Sequence, residues 1–128
     1  MTDMVNHPAH YNAHPSGLEV IELTELLGFR LGNATKYVLR HRHKGKPIED
    51  LEKAVWYLRR IEDTSDSTWL VESRPMFKAA EIALRFWAAE TDVFTKDALR
   101  HMLLAGDDTF EEAIEHIEAE VRRLKEES

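Results

Sequence analysis

The chain contains no cysteine, so it forms no disulfide and offers no thiolate to a metal. A reducing cytoplasm is compatible with that composition. No apolar run approaches the roughly 20 residues needed to cross a bilayer, and no signal-peptide pattern opens the sequence. No membrane partner is expected, and the cytoplasm is the default location. No Gly-x-x-x-x-Gly-Lys-Ser/Thr string is present, which excludes a P-loop phosphate cradle. No spacing argues for a Ser-His-Asp or Cys-His nucleophile. No stretch reads as a strand, and no internal repeat is found.

What is present fits one soluble globular domain. The 128 residues are 43% hydrophobic and 32% charged, with a formal net charge of −7. Residues 1–63 balance nine Lys/Arg against nine Asp/Glu, and the acidic excess lies wholly in residues 64–128. Nonspecific nucleic-acid binding is not expected, because it needs an extended basic surface. Against this acidic background, six Lys/Arg and no acid lie between Arg30 and Lys46. A local basic island of this kind suits a small bound anion, and phosphate is the first to consider.

The spacing predicts an all-α fold, a compact bundle of about five to six helices behind an extended His/Pro-rich N-terminal arm. Residues 1–15 hold that arm, since proline biases each preceding residue toward extended backbone. Ser16 and Glu19 read as a capping box opening a first helix that Gly28 closes. The stretch 31–58 then reads as two amphipathic helices around a basic hinge. Leu31, Ala34 and Val38 share one face of the first, while Asn33, Lys36, Arg40 and His43 share another. Gly45 stops that helix and Pro47 starts the next, with Leu51, Ala54, Val55 and Leu58 as its apolar stripe. Residues 64–75 read as a linker, broken by Pro75. Further helices are expected over 76–90, with Phe77, Ile82, Leu84, Phe86 and Trp87, and over 96–105, capped by Thr95 and stopped by Gly106. A last helix, over 110–125, has Thr109 and Glu112 as a capping box and a stripe suited to a partner helix. The division is thus a core at 1–63 and an acidic helical extension at 64–128, packed as one structural domain. Trp69, Phe86, Trp87 and Phe94 are expected to leave apolar surface exposed, which favours a homo-oligomer.

Each candidate site residue has two readings. His7, His10 and His14 could ligate a metal, or they could stack on a base, hydrogen-bond or simply shape the arm. Lys36 and Arg40 suit a phosphoryl group, as a point charge and a two-pronged fork, or they form a solvated basic face. Asp50 could hold magnesium or orient a hydroxyl, or merely favour the dipole of its helix. Trp56 and Tyr57 read as core or interface residues.

Five blocks, taken together, carry a resemblance. They are Val5-Asn6-His7-Pro8-Ala9-His10-Tyr11, then Gly17 with Glu19-Val20-Ile21, then Gly32-Asn33-Ala34 with Lys36-Tyr37 and Arg40, then Lys44-Gly45, and last Asp50-Leu51 with Lys53-Ala54 and Tyr57-Leu58. Over about residues 5–62 the chain resembles the small tailed-phage domain family of unknown function called SaV-like. That family is commonly described as a phage nucleotide kinase without a Walker motif. The resemblance implies phosphoryl transfer from a nucleoside triphosphate donor to a deoxynucleoside monophosphate, with Mg2+ as cofactor. It implies Lys36, Arg40 and Asp50 as catalytic residues, Asp50 being the magnesium ligand. It implies Asn6, His7, His10, Tyr11, Asn33, Lys44 and Tyr57 as nucleotide-binding residues, in an oligomer with shared sites. A phage-encoded chain would act in the host cytoplasm. Two alternatives stand beside this reading. One is an all-α nucleotide pyrophosphohydrolase, which would need several carboxylates on facing helices. The other is a non-enzymatic protein that binds a host protein through residues 110–125.

Overall fold

The computed structural model describes residues 14–62, 76–104 and 110–127. These residues hold six helices and no strand: α1 (Val20–Thr24), α2 (Phe29–Arg40), α3 (Pro47–Glu62), α4 (Met76–Ala89), α5 (Val93–Leu99) and α6 (Glu111–Glu127). A π-helical turn, Arg100–Leu104, continues α5. The expected linker at 64–75 lies outside the described residues, as do Trp69, the caps Gly106 and Thr109, and the side chain of Phe77. No described helix is long and apolar enough to cross a membrane.

The first helix is shorter than the Ser16 cap predicts. The Ser16 hydroxyl instead accepts the Leu18 N–H at 3.1 Å and pairs with the His14 ring at 2.8 Å, a local turn that competes with helix. Helix starts only at Val20, where the Glu22 carboxylate accepts the Glu19 N–H at 2.7 Å. Gly28 does not close this helix; it is the extended residue from which α2 departs.

Helices α2 and α3 fold back on one another and form the most extensive helix pair. Leu31, Ala34, Val38 and Leu39 of α2 bury against Leu51, Ala54, Val55, Leu58 and Ile61 of α3, so the apolar spacing lands where the 3.6-residue period puts it. Gly32 lets α1 lie close: a Cβ there would stand 3.1 Å from the Thr24 carbonyl oxygen. The connection between the two long helices needs Gly45, whose φ of 79° is the left-handed conformation expected of a helix stop.

The remaining helices close the core. Phe86 of α4 is fully buried, against the expectation of an exposed aromatic, while Trp87 and Phe94 are half-buried and Leu84 faces solvent. Helix α5 begins three residues earlier than expected, because Asp92 rather than Thr95 is its cap. The Asp92 carboxylate accepts the Thr95 N–H at 3.1 Å and the Thr95 hydroxyl at 2.7 Å. The stripe of α6, expected to suit a partner helix, finds that helix within its own chain. Phe110, Ala113, Ile114, Ile117 and Val121 are buried in one core, with α6 lying along α3. Phe110 reaches this core with a φ of 59°, a strained backbone for an aromatic, which its buried ring offsets.

Because α6 completes the core of α3, both halves of the chain should melt together. Ile117→Ala is expected to cost about 2–5 kcal/mol and to lower the melting temperature of every helix in one transition. Circular dichroism combined with amide exchange in α2 and α6 would check this, and separate transitions would contradict it.

Candidate functional site

The site is organised around one ion pair. Arg40, in the last turn of α2, meets Asp50, in the first turn of α3. Its Nε donates to Oδ2 at 3.2 Å and its Nη2 to Oδ1 at 3.1 Å, a two-pronged contact. Asp50 is only 1% exposed, so this carboxylate has lost its water and depends on the guanidinium. The pair ties the two ends of the basic hinge, residues 41–46, to each other.

Tyr37 gathers the neighbouring cations. Lys36 Nζ, the Arg40 guanidinium and Lys53 Nζ lie 5.1, 4.9 and 5.5 Å from its ring centre. A π face attracts positive charge at such distances, which partly offsets the mutual repulsion of the three cations. The ring is itself held by stacking on Tyr57, 6.1 Å between centres.

Above this layer lies a cleft of about 200 Å³, lined by Lys36, Arg40, Arg42, His43 and Lys44 on one side. His14, Pro15, Glu90, Thr91 and Thr95 form the opposite wall. Arg42 is loosely paired with Asp92 at 3.8 Å, and Lys36 has no carboxylate within ion-pair distance among the described residues. Glu90 is the single acid among the described lining residues, and it is fully engaged. One of its oxygens accepts from His14 Nε2 at 3.0 Å, and the other accepts the Thr91 and Asp92 N–H groups at 3.1 and 3.0 Å. Burial pushes the Glu90 carboxyl upward, but the His14 and Asp92 hydrogen bonds outweigh it and hold it below its ordinary value. His14 is correspondingly fixed: the Ser16 N–H donates to Nδ1 at 3.0 Å, so Nε2 carries the proton given to Glu90. Its ring packs 4.3 Å from that of Phe86. The arrangement is an anion-sized hollow lined by Lys36, Arg40, Arg42 and Lys44 and by the hydrogen-bonded imidazole of His14.

Behind the cleft, His41 is buried, and its Nδ1 donates to the Val38 carbonyl at 2.6 Å. Burial lowers its pKa below the ordinary 6.5, more than the Val38 carbonyl and the nearby Asp92 and Glu120 raise it. Asp92 and Glu120 are held below their ordinary carboxylate values. In Asp92 burial opposes the shift, but the Thr95 hydroxyl and N–H prevail; in Glu120 the Arg123 hydrogen bond leads.

The cleft therefore brings together Lys36, Arg40 and Lys44 of the expected set, and His43 with them. Three others stand apart. Asn33 lines an adjoining groove, with its amide N–H donated to the Phe29 carbonyl at 2.8 Å. Tyr57 supports Tyr37 and does not line the cleft. Asp50 also lies off the cleft, buried and with both oxygens accepting from Arg40, which disfavours it as a magnesium ligand. Among the described residues no group of three or more His, Asp or Glu could hold a metal ion. A protein-held magnesium thus does not fit the donors seen here. Asn6, His7, His10 and Tyr11 lie outside the described residues. Arg42 belongs to the basic island but no periodicity singled it out. Glu90, Thr91 and Thr95 come from a distant part of the chain, and nothing local in the sequence points to them.

Residues 5–59 match a family model described as a protein of unknown function, DUF3310. The matched span runs through α1, α2, the hinge and most of α3, and so contains the whole basic wall of the cleft but not the wall built by Glu90 to Thr95. No curated protein and no solved structure matches the chain.

Two predictions follow from the charges. Arg40→Ala strands a buried carboxylate and should destabilise the fold by about 3–5 kcal/mol, whereas the double replacement Arg40→Met with Asp50→Leu should recover most of that loss. Chemical denaturation of the three variants measures it, and a single variant as stable as the parent would refute the structural role. The second concerns acid. The folded His41 resists the proton that the unfolded chain takes up near 6.5, so stability is full above that pH and declines below it. Glu90, Asp92 and Glu120 are depressed carboxylates, whose contribution is present above their unfolded values and lost as pH falls through the folded ones. Melting temperature should accordingly fall in two stages on acidification, and His41→Gln should flatten only the upper stage.

Proposed function

We propose that this chain binds a nucleoside phosphate, with its phosphoryl oxygens held by Lys36 and by the hinge residues Arg42, His43 and Lys44. The observation that carries this reading is the cleft itself: cationic side chains from one helix end and the following hinge line a single small hollow. Lys36 brings a charge that no described carboxylate neutralises, and such a charge is most favourably used on an anion. In this reading Arg40 lines the cleft without clamping the phosphate. Its fork is already committed to Asp50, and it contributes field and rigidity to the hinge.

The activity favoured is that of a nucleoside-monophosphate kinase. The γ-phosphoryl group of a nucleoside triphosphate passes to a phosphate oxygen of the monophosphate, leaving two diphosphates. Such transfers depend on positioning and on positive charge around the phosphoryl oxygens rather than on a protein nucleophile. A basic wall supports that better than metal-assisted hydrolysis, for which the cleft offers one carboxylate that is already hydrogen-bonded. Any magnesium would arrive on the triphosphate, and Asp50 has no part in this reading. A host protein meeting residues 110–125 would have to use the exposed charged face of α6, since its apolar stripe is buried.

The test is a nucleotide panel screened by thermal shift, with and without magnesium, followed by calorimetry on the best stabiliser. A nucleoside monophosphate is expected to stabilise the chain, and Lys36→Ala should weaken its binding about tenfold or more. Conversion of that monophosphate to the diphosphate by a triphosphate would establish the kinase reading. No stabilisation by any nucleotide at millimolar concentration would refute the whole proposal.

A further inference from the structure

A cleft of about 200 Å³ is large enough for a phosphoryl group but falls below the ~300–1,000 Å³ of pockets that enclose a whole small-molecule ligand. If a nucleoside phosphate is anchored there, its base must lie elsewhere. An open groove of about 440 Å³ adjoins the cleft, between the end of α1 and the first half of α2. Lys36 lines both hollows, so the two adjoin at one side chain.

The groove has the chemistry of a base platform. Gly28 and Gly32 leave part of its lining as bare backbone, and Ile21 and Phe29 supply apolar surface. Phe29 is 73% exposed, an uncommon state for a phenylalanine, and at least one face of its ring is open. The ring is nonetheless oriented, because Tyr57 meets it edge-on with centres 6.0 Å apart. Asn33 is oriented too. Its amide donates to the Phe29 carbonyl, which leaves the side-chain oxygen and one N–H available to the edge of a base. Spacing along the helix also agrees. Asn33, Lys36 and Arg40 form one stripe, and the seven residues from Asn33 to Arg40 span about 10 Å at the α-helical rise, comparable with the reach of a nucleotide from base to phosphate.

We infer that the Phe29–Asn33 groove is the base subsite of the site proposed above, with the nucleobase stacked on Phe29, its edge against Asn33, and Lys36 beneath the junction with the phosphate. This inference rests on the nucleoside-phosphate reading and adds to it the position and chemistry of the base. Tyr57 becomes a positioning residue that holds the stacking ring. The groove commits to a flat aromatic ligand portion rather than to a second protein, because the cation it shares with the cleft, Lys36, would be of no use to an apolar partner.

The experiment compares two ligands on two proteins. A nucleoside monophosphate and ribose 5-phosphate share the phosphate and sugar, and only the first carries a base. Calorimetry on the parent chain should show the nucleoside monophosphate binding more tightly. Phe29→Ala, at a solvent-facing position, should lower that affinity about tenfold and leave ribose 5-phosphate unchanged, whereas Lys36→Ala should weaken both. Equal affinity of the parent for both ligands would overturn the base subsite and leave the phosphate reading intact. So would an unchanged nucleoside-monophosphate affinity in Phe29→Ala, including the case in which that variant alters only self-association. Failure of both ligands to bind the parent would remove the functional reading itself.

Discussion

The bond between Arg40 and Asp50 is the constraint from which the cleft follows. A carboxylate buried to this degree is stable only while its cation remains in place. The pair therefore fixes the end of α2 relative to the start of α3, and the hinge between them is short and turns through the left-handed Gly45. A hinge clamped at both ends has few ways to place its side chains. Arg42, His43 and Lys44 consequently border one opening while remaining exposed to solvent.

Repulsion within that basic cluster needs an outlet, and the structure supplies two. The Tyr37 ring takes up part of the charge of Lys36, Arg40 and Lys53 through its face. Asp92 approaches Arg42 from the far wall, while also capping α5 and adding to the field at His41. Polar side chains at this end of the molecule thus serve two ends at once: Glu90 fixes His14 and also closes the turn into α5. The acidic second half of the chain is in this sense the electrostatic complement of the basic island at 30–46 in a formally neutral first half.

The aromatic residues divide in a similar manner. Phe86 and Phe110 are spent on the core, whereas Phe29, Tyr37 and Tyr57 form a connected series from the exposed groove to the cationic layer. Trp56 extends that series outward, 54% exposed and covered on one side by Arg60, 5.0 Å from its ring. Stability resides in the first group. The second group has surface to offer a ligand.

Read from the chain alone, the all-α class, the paired helices α2 and α3, the stop at Gly45 and the start at Pro47 are all accessible, because periodicity, a left-handed glycine and a first-turn proline act within a few residues of one another. The basic island is equally local, and Lys36, Arg40 and Lys44 do converge. Ser16 and Thr95 show where local signals mislead: each lies near a second group, His14 or Asp92, that captures its hydroxyl and shifts the helix start. That α3 covers the apolar face of α6, that Phe86 points inward, and that Asp50 is engaged by Arg40 depend on contacts between elements that no single helix pattern contains. So does the Glu90 wall of the cleft. Long-range packing decides these matters because burial energy depends on which surfaces meet, and no window of neighbouring residues contains both surfaces.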